Sequence, residues 1–186
     1  YLCQKEMSDY ARFVLDTTSN KQFHFGPSRI QFLYALSYYT DWHEEWLPQE
    51  QLEFYLDEAE KHYRQSRLQD KAMIAIACHR LGRSEVAEQW AESLRQQASR
   101  DAYGLSWTEL KRHQRGWHDV AINTEAILME LLFEALPNTT DDQLAVKKQT
   151  VADITQWLLA HEGFIEHRDR HGVVHSPAKF LVVHGI

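Results

Sequence analysis

The chain has 186 residues, 44% hydrophobic and 25% charged, which suits a globular chain with one ordinary core and argues against disorder. Twenty Lys+Arg against twenty-seven Asp+Glu leave a net charge of −7, so there is no basic field to release phosphate counterions, which argues against nucleic acid or an anionic membrane surface as partner. Seven Gly and four Pro are few for this length, which disfavours turn-rich sandwiches and barrels and favours an all-α fold of long helices with short connections.

In chain order, a first helix is expected from Leu2 to Asp16, followed by a polar break at Thr17 to Asn20. Gly26-Pro27-Ser28 supplies a turn and cap before a second helix from Arg29 to Tyr39. Phe32, Leu33, Tyr34, Leu36, Tyr38 and Tyr39 make that helix apolar around its circumference, so it is expected to be packed on most sides. Pro48 fits the first turn of a third helix, where Leu52, Tyr55, Leu56, Ala59 and Tyr63 recur at helical spacing and Glu53, Asp57, Glu60, Lys61 and Arg64 face elsewhere. Asp70 suits the cap of a fourth helix whose body, Ala72 to Cys78, should be buried, and Gly82 suits the left-handed residue that stops it. Ser84 then caps a helix with one apolar stripe of Val86, Ala87, Trp90, Ala91, Leu94 and Ala98. An irregular loop is expected from Asp101 to Asp119. Beyond it lies a helix from Ile122 to Leu136 whose polar residues Asn123, Glu130 and Glu134 share a narrow stripe, ended by Pro137. Asp141 or Asp142 caps a last helix with Leu144, Val151, Ile154, Trp157 and Leu158, after which residues 161–186 form an irregular His/Arg-rich tail.

Thoroughly apolar helices thus alternate with half-wet ones. Such hairpins bury the apolar member either in a stacked solenoid or in a closed ring. The turn from Leu81 to Ala87 looks like that of a tetratricopeptide repeat, but nothing similar returns at the spacing of about 34 residues that such a repeat demands.

Motifs that would carry chemistry are scarce. Cys3 and Cys78 are too few and too far apart for a disulfide framework, and Cys78 reads as a small buried hydrophobe. No segment reaches the about 18 consecutive apolar residues that read as a membrane span, so no membrane insertion is expected. The chain starts at Tyr1 with no signal core, which reads as a piece of a longer protein. His167, His171 and His175 would share one face of a helix and could present imidazoles to a metal, but they lie in the least periodic part of the chain, and a solvated tail is the preferred reading. His43-Glu44 does not open a His-Glu-x-x-His motif, because position 47 is Leu47. Glu125 faces the apolar side of its helix and reads either as a buried acid or base or, preferably, as a carboxylate near a helix N-terminus that reaches the preceding loop. Trp42, Trp46, Trp107 and Trp117 could form a stacking platform for a sugar or line a terpene cavity, with core packing the preferred reading. Glu44-Glu45 and Asp141-Asp142 read as ordinary helix-start or solvated charges. No catalytic, cofactor or metal residue is assigned.

Four stretches carry a family resemblance. Gly116 to Ala135 resembles the segment of bacterial alpha-2-macroglobulin-like proteins in which an aromatic cluster leads into an Ile-Glu-Thr-x-Ala-Leu-Leu-Ile-Glu-Ala helix, with Asn123 where that Glu stands and Ala121 where the helix-starting Pro stands. Ile30 to Tyr39 is similar to the family's Tyr-Leu-Tyr-Ala-Arg-Ser-Phe helix, Met73 to Gly82 to its Ala-Leu-x-Leu-x-Arg-x-Gly hairpin, and Val151 to Leu159 also fits.

The resemblance covers residues 20–160 and implies a thioester-type α/α-toroid, here a partial ring of helical hairpins. It further implies a parent protease trap, an endopeptidase inhibitor in the cell envelope or periplasm, whose partners are target proteases and the parent's other domains. The family's Cys-x-Glu-Gln thioester is absent, since Cys3-Gln4-Lys5-Glu6 holds similar letters in another order, so no reactive residue carries over. The expected role is that of a non-catalytic segment without cofactor, not an enzyme, with self-association through an exposed apolar edge where hairpins are missing. The alternatives are a helical scaffold that binds peptides or proteins, and an α/α-toroid enzyme acting on glycans or isoprenoids.

Overall fold

The computed structural model describes residues 2–15, 24–39, 47–107, 121–160, 167–168 and 174–175, and these are mostly helical. The chain divides into two compact units, Tyr1–Arg83 and Ser84–Ile186. Among the described residues no helix is long and apolar enough to cross a membrane.

The first unit contains α1 (Leu2–Leu15), α2 (Pro27–Leu36), α3 (Gln49–Tyr63) and α4 (Leu68–Arg80). Helix α2 opens with Gly26 as N-cap residue and Pro27 in the first turn, where the missing proline N–H has no helical acceptor to lose. It ends at Leu36, short of the expected Tyr39, and the Tyr39 N–H closes a turn on the Leu36 carbonyl at 2.9 Å. The helix is not packed on most sides as its composition suggested: Ile30, Phe32, Leu33 and Leu36 are buried while Gln31 and Ala35 are exposed. Helix α3 follows its pattern closely, with Leu52, Tyr55, Leu56, Ala59 and Tyr63 buried and Glu53, Asp57 and Lys61 exposed.

Helix α4 starts two residues before its expected cap. Arg67 occupies the N-cap position and its carbonyl accepts the Lys71 N–H at 2.8 Å, leaving Asp70 in the first turn, where the helix dipole still favours its charge. Seven consecutive residues, Ala72 to Cys78, are buried, and α4 packs against both α2 and α3. Gly82 stops the helix in the left-handed region at φ 96°, and the Arg83 N–H reaches back to the Cys78 carbonyl at 2.7 Å, the longer bond of a Schellman motif. Across the surface of α3, Arg83 gathers Glu53 (2.7 Å), Asp57 (2.8 Å) and Glu60, three carboxylates that helical spacing places on one side.

The second unit contains α5 (Ser84–Gln96), a hairpin of β1 (Ser99–Asp101) and β2 (Gly104–Ser106), α6 (Ala121–Ala135) and α7 (Asp141–Ala160). The hairpin corrects the expected irregular loop after Asp101. Its strands pair antiparallel with Asp101 opposite Gly104, and the Asp101 carboxylate accepts the Tyr103 N–H at 2.8 Å to close the connection. All three residues of β2 are buried, and the strand packs on α7.

Helix α7 is capped by neither aspartate. Thr140 and Gln143 form a reciprocal capping box, in which Thr140 Oγ1 accepts the Gln143 N–H (3.2 Å) and Gln143 Oε1 accepts the Thr140 N–H (3.1 Å). Asp141 and Asp142 lie exposed in the first turn. Two short strands, β3 (His167–Arg168) and β4 (Val174–His175), pair antiparallel within the segment expected to be irregular.

Burial alternates from α3 to α7. The stretch Ala72–Cys78 of α4 and the stretch Thr124–Leu132 of α6 are buried without interruption, whereas α5 buries only Ala87, Ala91 and Leu94. Helix α7 buries a single stripe of Lys147, Thr150, Asp153, Ile154, Trp157 and Leu158. The polar stripe expected on α6 is not its wet side: Glu130 is buried and Phe133 is exposed.

Candidate functional site

Glu125 is the fifth residue of α6 and is fully buried. Its Oε1 accepts the backbone N–H of Trp107 at 3.2 Å, and the Trp107 indole N–H donates to the Leu94 carbonyl at 2.8 Å. Trp107 therefore links the end of α5 to the first turns of α6, with its large ring in the core and its polar edge satisfied. A carboxylate in this position serves as an anchor for the chain leaving β2, which is the second of the two readings open for it from sequence.

A larger polar cluster lies in the first unit, where the sequence pattern gave no sign of it. Arg29 on α2 donates from Nε to Glu6 Oε2 at 2.9 Å and from Nη2 to Asp9 at 3.2 Å, joining α2 to α1. Tyr55 on α3 donates its hydroxyl to the same Glu6 oxygen at 2.7 Å, and Gln51 Nε2 donates to the Glu6 carbonyl at 3.2 Å. Three helices thus meet on one buried carboxylate. Burial pushes the Tyr55 phenol well above the usual tyrosine range, the Glu6 carboxylate adds to that rise, and Arg29 opposes it. Glu6 stands 23 residues from Arg29 and 49 from Tyr55, so no local period could reveal the set.

The third feature is a cleft of about 710 Å³ in the second unit. Leu136, Pro137 and Val146 form its apolar floor, and side chains of α5 and of the first turns of α7 form its walls. Both cations at the cleft are engaged. Arg95 donates to both oxygens of Glu92, from Nε at 2.8 Å and from Nη2 at 2.7 Å, which holds Glu92 below the usual carboxylate range. Lys147 is buried and donates to the Leu136 carbonyl at 3.0 Å, capping the end of α6, and burial lowers its ammonium below the usual lysine range against the pull of Glu134.

The remaining sequence candidates divide by place. His167 and His175 face each other as Cα partners across β3 and β4, not at steps along one helix, which removes the shared helical face proposed for them. His171, Trp42, His43, Glu44, Glu45, Trp46 and Trp117 lie outside the described residues. Among the described residues no group of three His, Cys, Asp or Glu side chains is placed to hold a metal ion.

Cys78 is fully buried in α4. Burial pushes its thiol up to about 12, the Glu60 charge adds to this, and Arg83 opposes it. At pH 8 the native thiol is therefore protonated and shielded. The expected outcome is that mass-spectrometric mapping finds Cys78 unlabelled by a thiol reagent in the native chain and labelled once urea unfolds it. Native labelling at the unfolded rate would contradict the burial.

Comparison of the chain with protein-family models, with curated proteins and with solved structures finds no match.

Proposed function

We propose that this chain is a non-catalytic run of helical hairpins belonging to an α/α-toroid, a segment of an alpha-2-macroglobulin-like protease trap. The observation that carries the reading is the alternation of dry and half-wet helices from α3 to α7. Uninterrupted burial of Ala72–Cys78 and Thr124–Leu132 is what inner helices of a ring require, and the single stripes of α5 and α7 are what outer helices require. The order of the four family-like segments supports the same assignment.

The placement of Glu125 agrees with a scaffold role, because the acid that motivated a toroid-enzyme reading accepts a backbone N–H of its own chain. In this proposal the parent restrains proteases by enclosing them, acts in the cell envelope or periplasm, and uses this segment to hold other domains in place. Sequencing the coding region adjoining the segment tests it. The expected result is a parent with long β-rich domains ahead of the helical segment. A parent made only of helical hairpins, with acid pairs positioned to line a ring cavity, would overturn the reading.

A further inference from the structure

The cleft beside α7 combines three properties that are separately ordinary. Its volume, about 710 Å³, lies in the about 300–1,000 Å³ range typical of ligand pockets. Its floor of Leu136, Pro137 and Val146 offers an apolar side chain a place to leave water, and Val146 is 46% exposed. Its charge is the third property.

Of the two cations of the cleft, Arg95 is paired with Glu92, and Lys147 is buried, its ammonium held by the Leu136 carbonyl below the exposed rim. Glu88 on the α5 wall and Asp142 on the α7 wall are exposed and have no ion-pair partner among the described residues. An apolar trough is therefore edged on both sides by exposed carboxylates, and its lining, with Glu88, Glu92 and Asp142 against Arg95 and Lys147, keeps an excess of negative charge.

We propose that this cleft docks an extended peptide segment of a partner protein that carries apolar side chains between basic residues. The apolar side chains would cover Val146 and Pro137, and the flanking cations would lie against Glu88 and Asp142. Exposed pairs of this kind are screened by salt, so the contact is weak, fast and sensitive to ionic strength. An acidic or phosphorylated segment would meet like charge on both walls and is excluded on the same ground. The inference stands on the cleft alone and does not depend on the parent being a protease trap.

The test uses the full chain and the capped peptide Lys-Leu-Leu-Val-Lys, carrying a fluorophore on a flexible linker, with anisotropy as the readout. A Glu-Leu-Leu-Val-Glu peptide and a Lys-Ser-Ser-Ser-Lys peptide serve as comparisons. Saturable binding of the first peptide is expected, weakened roughly fivefold or more by the double change Glu88→Gln and Asp142→Asn and weakened again by raised salt, with both comparison peptides binding less well. Val146→Ser should also weaken it, and all three positions are exposed, so circular dichroism should show an unchanged fold. Equal binding of the acidic peptide, binding unaffected by the double change, binding of the serine peptide as tight as the leucine one, or no saturable binding at all would each overturn the proposal.

Discussion

Replacing Gly104 by alanine is expected to cost about 3–4 kcal/mol of stability, far more than a single methyl group on an average residue. Gly104 begins β2 at φ 131°, where an L side chain is strained, and a Cβ built there would lie 2.1 Å from the Asp153 carbonyl oxygen and 3.0 Å from the Trp157 amide nitrogen. Both neighbours are backbone of α7, so no rotamer change relieves the clash. Either the hairpin lifts off the helix or the helix bends, and overpacking of this kind costs about 1–3 kcal/mol beyond the backbone strain. Lifting the hairpin would also break the Arg100 ion pair to the buried Asp153 carboxylate.

Gly82 provides the internal control. It too lies in the left-handed region, at φ 96°, but a Cβ there meets nothing within 4 Å. Gly82→Ala is accordingly expected to cost only about 1 kcal/mol, the backbone share alone. Urea unfolding of the two variants, compared at equal m-value, separates strain from collision. Equal midpoint shifts would mean that β2 does not approach α7 as closely as described.

The two glycines also mark how far sequence reading reaches. Gly82 was legible because a helix pattern stops there and the next one starts, a local signal with a local cause. Gly104 was not, because its reason for being glycine is the backbone of Asp153, 49 residues away. The same division runs through the helices. In α3 a single stripe of apolar residues decides which side is wet, so Leu52, Tyr55, Leu56, Ala59 and Tyr63 were identified as core and are core. In α2, ten residues rich in aromatic and aliphatic side chains offered no polar stripe to orient them, and the exposed side of the helix could not be read.

Caps divide likewise. Gly82 announces itself, but the choice among Thr139, Thr140, Asp141 and Asp142 depends on the reach of Gln143, and the nearest acid pair was a poor guide. Glu125 was placed on the apolar side of α6 from its angular position, but the backbone N–H of Trp107 that it holds follows a hairpin that the sequence presented as an irregular loop. The cleft escaped notice for a related reason: Leu136 and Pro137 looked like a helix end, and nothing local says that α5 passes beside it.

Arg29→Met is the second substitution of large effect, expected to cost about 2–3 kcal/mol, the lower side of what breaking a buried ion pair does because the Arg29 side chain retains 17% exposure. The loss is not mainly the attraction that disappears. Glu6 remains on the buried faces of three helices with its carboxylate charge and keeps only the Tyr55 hydroxyl of its two side-chain partners there. A charge left in that position, only 5% exposed, has little access to water and no ion-pair partner among the described residues, and its desolvation is what destabilises the variant. This account makes a further demand. Removing the carboxylate as well, as Glu6→Leu combined with Arg29→Met, should restore part of the stability, because the buried charge is then gone and apolar groups fill its space. Chemical denaturation of the wild type, both single variants and the double variant forms a cycle, in which a coupling above about 1 kcal/mol is expected for groups in direct contact. If the double variant instead falls by the sum of the two single losses, Glu6 and Arg29 act independently, and the joining of α1 to α2 does not depend on their ion pair.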